Sequence, residues 1–304
     1  AQLRECEAAV VAGVNLMLLP GVSLNFAAAG MTSPRGRCHT FDSRADGYAR
    51  AEACGVAVLH IADEVPTASV ELLGSAVRCD GRSASLTAPN GQAQQGLLAA
   101  ALADASAAAD ELALSEAHGT GTALGDPIEA GSLVAAVLSA REEELAVGGV
   151  KANIGHAEPA AGISGLLLLA AGLARGTLAP NAQLRALNSA VRGAMRAKPS
   201  MMACPVARGR VASDALALQS GGVSSFGYSG TIAHAVLAFG SGAPPEMLAF
   251  GCVPDASEAH AVGSRGSDGV TYTHVPLPTK AEVWISVVAV SFKRGGGGGG
   301  GGGG

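Results

Sequence analysis

Short apolar segments alternate with alanine-rich segments along residues 1–240, and this alternation restricts the fold of the 304-residue chain more than any other feature. Continuous apolar runs predict buried strands, and longer runs with 3.6-residue periodicity predict helices. The predicted strands are 8–17, 55–61, 70–77, 112–116, 147–153, 222–226 and 233–239, and the predicted helices are 92–103, 126–140 and 159–175. Strands that alternate with helices through short loops predict an α/β fold with a parallel or mixed sheet.

Composition excludes several classes of protein. With 48% hydrophobic and 15% charged residues, the chain is too apolar to be intrinsically disordered. A net charge of −5 provides no basic surplus for phosphates, which argues against a nucleic-acid partner. The most apolar stretch, 160–174, is shorter than the roughly 20 residues of a membrane span. No targeting segment is visible, so we expect a cytoplasmic protein, with a plastid as the other possibility.

Six cysteines are scattered along the sequence. None forms a C-x-x-C pair or lies near a histidine at zinc-finger spacing, so no metal site is predicted. Scattered cysteines in a chain of this length indicate free thiols in a reducing compartment.

The character of the sequence changes after about residue 240. Residues 241–294 show no clear periodicity, and we interpret them as a linker or an unrelated sequence. Within them, 284–292 has the composition of a strand but no evident partner. Residues 295–304 are an unbroken run of glycine, which buries nothing, and we exclude this tail from the fold. The first residue is not Met, which suggests that residue 1 is not a natural start.

The first cluster of chemically informative residues is 115–129, SEAHGTGTALGDPIE. A strand leads into His118, and a glycine-rich turn follows. Asp126 is a suitable N-cap for the next helix, with Pro127 at its first position and Glu129 at its third, as in a capping box. His118 would then lie at the carboxyl end of a strand, where open α/β sheets place their active sites. A purely structural histidine and a nucleotide-binding turn are the alternatives.

The second cluster is 150–165, VKANIGHAEPAAGISG. Lys151 is predicted to lie in an apolar strand, either as a solvated strand end or as a buried charge that positions its neighbours. His156 follows a tight turn and precedes a helix. The partial positive charge of a helix N-terminus favours a neutral imidazole, which can donate a hydrogen bond to a carbonyl oxygen.

The third cluster is 221–234, GGVSSFGYSGTIAH. Its Gly-Tyr-Ser-Gly segment is not a G-x-S-x-G nucleophile elbow, because the second glycine directly follows the serine. Glycines around an aromatic residue suggest a gate or a loop of oxyanion donors. The alternative is a simple hairpin turn.

Together these clusters resemble the β-ketoacyl synthase (ketosynthase) domain of type I polyketide synthases and fatty acid synthases, which is thiolase-like. The matching segments, in the family's order, include EAHGTGTALGDPIEAGSL, KANIGHAEPAAGISGLL and VSSFGYSGTIAH. Further segments resemble it at 9–18, 41–59 and 74–94. The resemblance covers about residues 3–240 and implies a layered α/β/α/β/α fold. Residues 1–240 would be a partial ketosynthase domain, comprising the end of the first half and the whole second half.

The resemblance also implies an activity, the decarboxylative Claisen condensation of an acyl thioester with a malonyl-type extender. An acyl carrier protein would present both on its phosphopantetheine, the domain itself would bind no cofactor, and the full-length form would be a homodimer. Carried over residue by residue, the resemblance implies two catalytic histidines with a supporting lysine, a gating and oxyanion loop, and two threonines that line the site. These are His118, His156 and Lys151; Gly227, Tyr228, Ser229 and Gly230; and Thr120 and Thr122.

The chain departs from the family pattern in ways that limit this expectation. The family's nucleophilic cysteine lies in a T-A-C-S-S-type motif upstream of the segment that 9–18 resembles, and no cysteine here has that context. Ala51 and Ala53 stand where the family usually has glycine, and Ile232 where it usually has asparagine. We therefore expect a fragment of a larger ketosynthase. The alternatives are a non-catalytic scaffold for dimerisation or carrier-protein docking, and a mistranslated fragment.

Overall fold

A computed structural model describes most of the predicted domain. The described residues are 6, 8–61, 70–81, 88–195, 198, 200–202, 209–210, 219–239 and 283–290. Most of 241–294 and all of the glycine tail lie outside them, together with two of the six cysteines, Cys204 and Cys252.

Eleven strands and six helices, with short 3₁₀ segments, make up the described part of the chain. The strands are β1 (Ala8–Asn15), β2 (Ala53–Ile61), β3 (Val70–Cys79), β4 (Leu112–Glu116), β5 (Leu145–Gly148), β6 (Thr177–Leu178), β7 (Ser200–Met202), β8 (Gly209–Arg210), β9 (Gln219–Phe226), β10 (Thr231–Phe239) and β11 (Val283–Val290). The helices are α1 (Pro20–Ala28), α2 (Gly91–Ala105), α3 (Gly125–Ala136), α4 (Lys151–Ile154), α5 (Ala161–Arg175) and α6 (Ser189–Met195).

Nine of these strands form one mixed sheet in the order β1-β2-β11-β3-β10-β9-β4-β5-β7. The neighbours from β9 to β7 are parallel, and the remaining pairs are antiparallel. Strands β6 and β8 form a separate pair. The parallel strands β4 and β5 end at Glu116 and Gly148, so the segments that follow them emerge at the same edge of the sheet.

The helices form layers on the two faces of this sheet. One hydrophobic core joins α2, α3 and α6 to one face, with Leu112, Leu145 and Val236 at its centre. A second core lies under α5, whose Leu167 and Leu169 pack against strands of the other face. These layers are those of a mixed α/β protein, as the alternation predicts.

Helix α5 also packs closely against β1 and β2. A Cβ atom on Gly13 or Gly55 would lie within 3 Å of the Ile163 side chain. The two glycines therefore allow the helix to approach these strands, and α5 also contacts β4, β9 and β10 of the same sheet. Among the described residues, no helix is both long and apolar enough to cross a membrane.

The prediction of a strand within 8–17 is confirmed, and the prediction that this strand is buried is wrong. Among the described strands, β1 lies at the edge of the sheet and pairs with β2 alone. Its side chains belong to an exposed apolar band that continues into α1, a helix with no buried residue. The band consists of Val10, Val11, Val14, Leu16, Leu18, Leu19, Val22 and Leu24, which are 41–78% exposed.

Two further expectations about elements are corrected. The predicted strand 147–153 ends at Gly148, because a turn there leads into the four-residue helix α4 (Lys151–Ile154). The segment predicted to lack a strand partner, 284–292, contains β11, which pairs along its whole length with β2 and at its first three residues with β3. Val283–Val290 is therefore a strand of the sheet, and the interpretation of 241–294 as a linker or an unrelated sequence stays a prediction.

Candidate active site

The loop that carries His118 is held by a buried carboxylate. Glu129 on α3 accepts the backbone N–H of His118 through Oε1 at 2.6 Å and that of Gly119 through Oε2 at 2.8 Å. Both carboxylate oxygens of Glu129 therefore bond to the loop that begins directly after β4. The predicted capping box is wrong, because the Glu129 side chain accepts N–H groups of the His118 loop instead of closing onto its own helix.

Asp126 holds a second part of the same loop. Its carboxylate accepts the backbone N–H of Phe41 at 2.7 Å and that of Gly121 at 3.0 Å. It is not the N-cap, because α3 begins one residue earlier, at Gly125, whose N–H is bonded to the Thr122 hydroxyl at 3.1 Å. Burial raises the pKa of Asp126 to about 7, against the opposing effect of its backbone donors.

Lys151 is a buried charge, the second of the two alternatives that the sequence leaves open. Its side chain is 3% exposed at the start of α4 and lies close enough to both histidines to lower their pKa values. Burial lowers its pKa, and the carboxyl groups of Glu116 and Glu129 oppose that effect. Glu116 is equally buried, accepts the N–H of Val150 at 2.6 Å and has its pKa raised by burial to about 7. A lysine and two carboxyl groups are thus buried together close to the two histidines.

His156 is fixed by the backbone on three sides. Its own N–H donates to Ala49 at 2.7 Å, and its carbonyl accepts from Ala51 at 2.9 Å. Gly155 before it has φ +83°, a left-handed conformation that turns the chain after α4. The N–H of Glu158 donates to Nδ1 of the imidazole at 3.0 Å.

The two histidines share one hydrogen-bonding arrangement. Nδ1 of His118 accepts the backbone N–H of Phe226 at 3.2 Å, as Nδ1 of His156 accepts that of Glu158. An acceptor nitrogen of a neutral imidazole carries no proton, so in both rings the proton is on Nε2. The ring centroids are 5.7 Å apart with an interplanar angle of 86°. The fold thus brings together two N–H donors from loops that follow β4 and β5.

The same site keeps both imidazoles neutral. Burial, and then the charge of Lys151, lowers the pKa of His118 well below its usual range and that of His156 to about 3. The expected neutral imidazole at His156 is thus present, with burial rather than the helix N-terminus as the main cause. Neutral donors remain available throughout the physiological pH range.

Both histidines line a cavity of about 1000 Å³. Thr120 and Thr122, predicted to line the site, also face it, and their hydroxyl oxygens lie 3.3 Å apart. The wall further includes Tyr48, whose ring packs edge-on against His156 with centroids 4.9 Å apart. A cavity of this size with convergent donors is typical of a small-molecule site.

The predicted gating loop lies at the rim of this cavity. Gly227, Tyr228, Ser229 and Gly230 all line it and connect β9 to β10. The N–H of Gly227 donates to Thr231 at 2.7 Å, which closes a tight hairpin turn. Tyr228 is 67% exposed and touches Phe26 of α1 edge-on, with centroids 6.4 Å apart. The turn and its place at the cavity are therefore observed, and its movement stays a prediction. Ile232, where the family usually has asparagine, is buried directly behind it.

The cysteines of the described part differ in environment. Cys38 is buried, its Sγ accepts the N–H of Ala49 at 3.1 Å, and burial raises the pKa of its thiol. A raised pKa is the opposite of what a nucleophilic cysteine requires. Cys79 is exposed and lies at the cavity rim, near the turn that contains Gly230.

Comparison with known proteins agrees with this geometry. Residues 2–64 match the family "Beta-ketoacyl synthase, N-terminal domain", and residues 69–185 match "Beta-ketoacyl synthase, C-terminal domain". One subunit of the phenolphthiocerol/phthiocerol polyketide synthase of Mycobacterium tuberculosis is 40% identical over 284 residues, which are 90% of this chain and 12% of that protein. A different subunit of the synthase of the same name, from Mycobacterium bovis, is 40% identical over 251 residues, 80% of this chain and 16% of that protein.

Two solved ketosynthases share the fold. The ketosynthase from module 6 of the bacillaene synthase of Bacillus subtilis 168 has a TM-score of 0.72 and 30% identity, covering 78% of this chain and 43% of its own. The Streptomyces albus JA3453 oxazolomycin ketosynthase domain has a TM-score of 0.71 and 32% identity, covering 80% and 43%. The chain therefore belongs to the β-ketoacyl synthase family, among the ketosynthase domains of type I polyketide synthases, with their thiolase-like fold. It spans less than half of each relative named here.

Several residues of the site were not found from the sequence. Glu116, Glu129 and Asp126 lie within or beside the first cluster, but their acceptor roles depend on backbone groups that only the fold brings near. Glu116 is an acidic residue at the end of an apolar strand, and this pattern is the signal that could have indicated its role. Arg50 and Tyr48 lie more than 100 residues before His156 and give no local signal.

Proposed function

We propose that this chain provides the decarboxylation and enolate-stabilising part of a ketosynthase active site in polyketide synthesis, with fatty acid synthesis as the other pathway. One observation carries the proposal. His118 and His156 each accept a backbone N–H at Nδ1, and each therefore offers Nε2–H as a donor to the same cavity. Two fixed neutral donors suit a carbonyl oxygen that gains negative charge during a reaction.

The chemistry follows from that pair of donors. A malonyl-type thioester places its thioester carbonyl against the Nε2–H groups of His118 and His156. The bond between the carboxylate and the α-carbon breaks, carbon dioxide leaves, and the electron pair forms an enolate whose oxygen both histidines hold. The α-carbon then attacks an acyl thioester, a carbon–carbon bond forms, and the thiolate of that ester leaves. Each donor is in place before charge develops, so little reorganisation is needed.

Lys151 supports the donors without touching the reacting atoms. Its positive charge near the histidines opposes their protonation and so keeps Nδ1 of each ring free to accept. Glu129 complements it by holding the loop of His118 in one conformation. Both are positioning residues in this proposal.

The partners follow from the substrates. An acyl carrier protein would bring the malonyl-type and acyl groups on its phosphopantetheine arm, and the turn containing Tyr228 would admit that arm at the cavity rim. The acylated cysteine would come from a ketosynthase segment other than those described here, and the complete enzyme would be a homodimer. A cytoplasmic location stays a prediction.

A non-catalytic scaffold is the competing function. A scaffold for dimerisation or carrier-protein docking has no need for two imidazoles fixed in the same tautomer near a buried lysine. The presence of that arrangement therefore supports the enzyme.

The test measures carbon dioxide released from carboxyl-labelled malonyl-pantetheine by the full 304-residue chain. We expect release above the rate of a His118→Ala/His156→Ala double variant, with both proteins folded by circular dichroism. Equal rates in the two proteins would favour the scaffold. Because decarboxylation precedes acyl transfer onto the α-carbon, the assay requires no acylated cysteine.

A further inference from the structure

Arg50 lies beside the backbone of His156, and its side chain bonds Glu158, the residue whose N–H donates to the His156 imidazole. The guanidinium forms two parallel hydrogen bonds with the Glu158 carboxylate, Nε to Oε1 at 2.5 Å and Nη2 to Oε2 at 2.9 Å. The pair is shielded from water, with side chains that are 9% and 18% exposed. A bidentate, shielded pair fixes geometry more strictly than an exposed single contact.

Glu158 needs such a hold because of its backbone. It has φ +46°, in the left-handed region that residues with a Cβ avoid, and Pro159 follows it. A residue before proline is normally displaced toward extended conformations. The N–H of Glu158 belongs to the peptide between Ala157 and Glu158, so a relaxation of Glu158 that shifts this peptide would move the donor away from Nδ1 of His156. The side-chain bonds to Arg50 oppose such a shift.

The rest of the guanidinium is held as firmly. Nη1 of Arg50 donates to the Ser23 hydroxyl at 2.7 Å, and its Cζ lies 5.2 Å from the centre of the Phe26 ring. Both partners belong to α1, and Phe26 in turn touches Tyr228. The guanidinium therefore has a fixed orientation, set from the side opposite Glu158.

The backbone of the same segment is tied to His156. Ala49 and Ala51, on either side of Arg50, exchange hydrogen bonds with the N–H and carbonyl of His156. Residues 49–51 thus hold the main chain of His156. Through the Arg50 side chain they also hold Glu158, whose N–H bonds the imidazole ring.

We propose that Arg50 is a positioning residue for His156, which holds Glu158 where its N–H donates to Nδ1 and so keeps the proton of His156 on Nε2. The donor role of His156 rests on the function proposed above. The tautomer itself is a property of the chain and can be measured without turnover.

The experiment records two-bond ¹⁵N–¹H correlation spectra of the full chain with ¹⁵N-labelled histidine at pH 7, which distinguish the two imidazole tautomers. Signals are assigned with His118→Asn and His156→Asn. In the unchanged chain we expect both rings as Nε2–H. In Arg50→Met we expect His156 to populate the Nδ1–H form. His118, whose donor is Phe226, serves as the internal control and keeps its tautomer.

A folded Arg50→Met chain in which His156 stays entirely Nε2–H overturns the proposal, and so does one in which both histidines change together. If Arg50→Met does not fold, Arg50→Lys decides by the same criteria, since it keeps the charge but cannot form the paired bonds. Glu158→Gln, which keeps one hydrogen bond to Arg50, is expected to show a smaller change at His156 than Arg50→Met.

Turnover gives a second and separable readout. If the chain decarboxylates malonyl-pantetheine, we expect Arg50→Met to lower kcat on the order of tenfold with KM nearly unchanged, because a misplaced donor weakens the transition state more than substrate binding. An unchanged kcat in a variant with an altered His156 tautomer overturns the link to catalysis. A chain without decarboxylase activity contradicts the proposed function and leaves the tautomer result valid.

Discussion

The backbone N–H of Phe226 lies 3.2 Å from Nδ1 of His118 and donates to it. The last residue of β9 thereby determines where the proton lies on a ring carried by the loop after β4, 108 positions away in sequence. This contact joins the ends of two adjacent strands, because β4 and β9 lie side by side and parallel in the sheet. The donor at His118 is thus a consequence of strand pairing.

The first prediction concerns the donor at His118. His118→Ala removes one of two N–H groups and is expected to lower malonyl decarboxylation by about 10²–10³-fold, the usual cost of losing one preorganised oxyanion donor. His118→Asn is the matched variant, since its amide can still donate, and it should retain more activity than His118→Ala. The measurement is labelled carbon dioxide release at saturating malonyl-pantetheine. Equal rates in the alanine variant and the unchanged chain would remove His118 from the mechanism.

The second prediction concerns Gly155, whose left-handed conformation leads into His156. A Cβ at this position would lie 2.9 Å from the Cβ of Ala51 and 3.1 Å from the Ala49 carbonyl oxygen. Gly155→Ala is therefore expected to reduce the free energy of unfolding by about 1–2 kcal/mol from the backbone conformation alone, and more from the contacts. Urea unfolding followed by circular dichroism measures the change.

Gly193→Ala is the control for that measurement. Gly193 lies within α6, and among the described residues no atom beyond its neighbours and the backbone of its own helix is within 4 Å of the place where its Cβ would be. Alanine there should raise the free energy of unfolding by about 0.5–1 kcal/mol. Equal destabilisation by the two substitutions would contradict the conformational role of Gly155.

The third prediction uses His234 on β10, which is 2% exposed and bonded through Nδ1 to the Ser224 hydroxyl at 2.9 Å. Burial lowers its pKa from 6.5 to about 4. Because the folded-state pKa is the lower one, the unfolded chain binds more protons as pH falls from 6.5 to 4, and stability is lost over that interval. His234 alone should cost about 2 kcal/mol between pH 7.5 and pH 5.

His234→Gln keeps a partner for Ser224 and removes this titration. The loss of stability between pH 7.5 and pH 5, measured by urea unfolding, should therefore be smaller in His234→Gln than in the unchanged chain. The other histidines titrate in both proteins and cancel in the comparison. An identical pH dependence would show that His234 does not titrate below its usual range.

The fourth prediction concerns the thiols. Cys79 is exposed and Cys38 is buried with a raised pKa, so iodoacetamide should modify Cys79 faster, by roughly tenfold or more. A labelled acyl thioester should not acylate any cysteine of the chain stoichiometrically, because none lies in a nucleophile motif. Peptide mass spectrometry after each reaction provides the measurement. A stoichiometric acyl adduct would contradict the assignment of the nucleophile to another segment.

Local periodicity and spacing account for what the sequence predicted well. The apolar runs at 55–61, 70–77 and 112–116 become β2, β3 and β4. Burial on both faces explains the continuous apolar pattern of β4, whereas the second half of β3 is largely exposed. The same pattern cannot indicate whether a strand has a neighbour on each side, which explains why β1 was expected to be buried. A turn at Gly149 ends the strand, so Lys151 lies in α4. The apolar pattern of the sequence gives no indication of this turn.

The functions of acidic residues were harder to predict, for a physical reason. Asp126 and Glu129 have the types and spacing of a helix cap, and local rules assign them to their own helix. In the structure their oxygens accept N–H groups from the loop of His118 and from Phe41, 85 positions away. Their partners are backbone groups, which carry no residue-specific signal in a sequence.

That both imidazoles are bonded by main-chain groups also bears on how this site tolerates mutation. Every residue except proline supplies an N–H, so a change of side chain other than to proline at position 226 or 158 leaves the donor itself in place. Mutation at these two positions acts by altering backbone conformation, as loss of the bonds between Glu158 and Arg50 would. The genetic vulnerability of the histidine pair therefore lies in the residues that shape the chain around it, Arg50 and Glu158 among them.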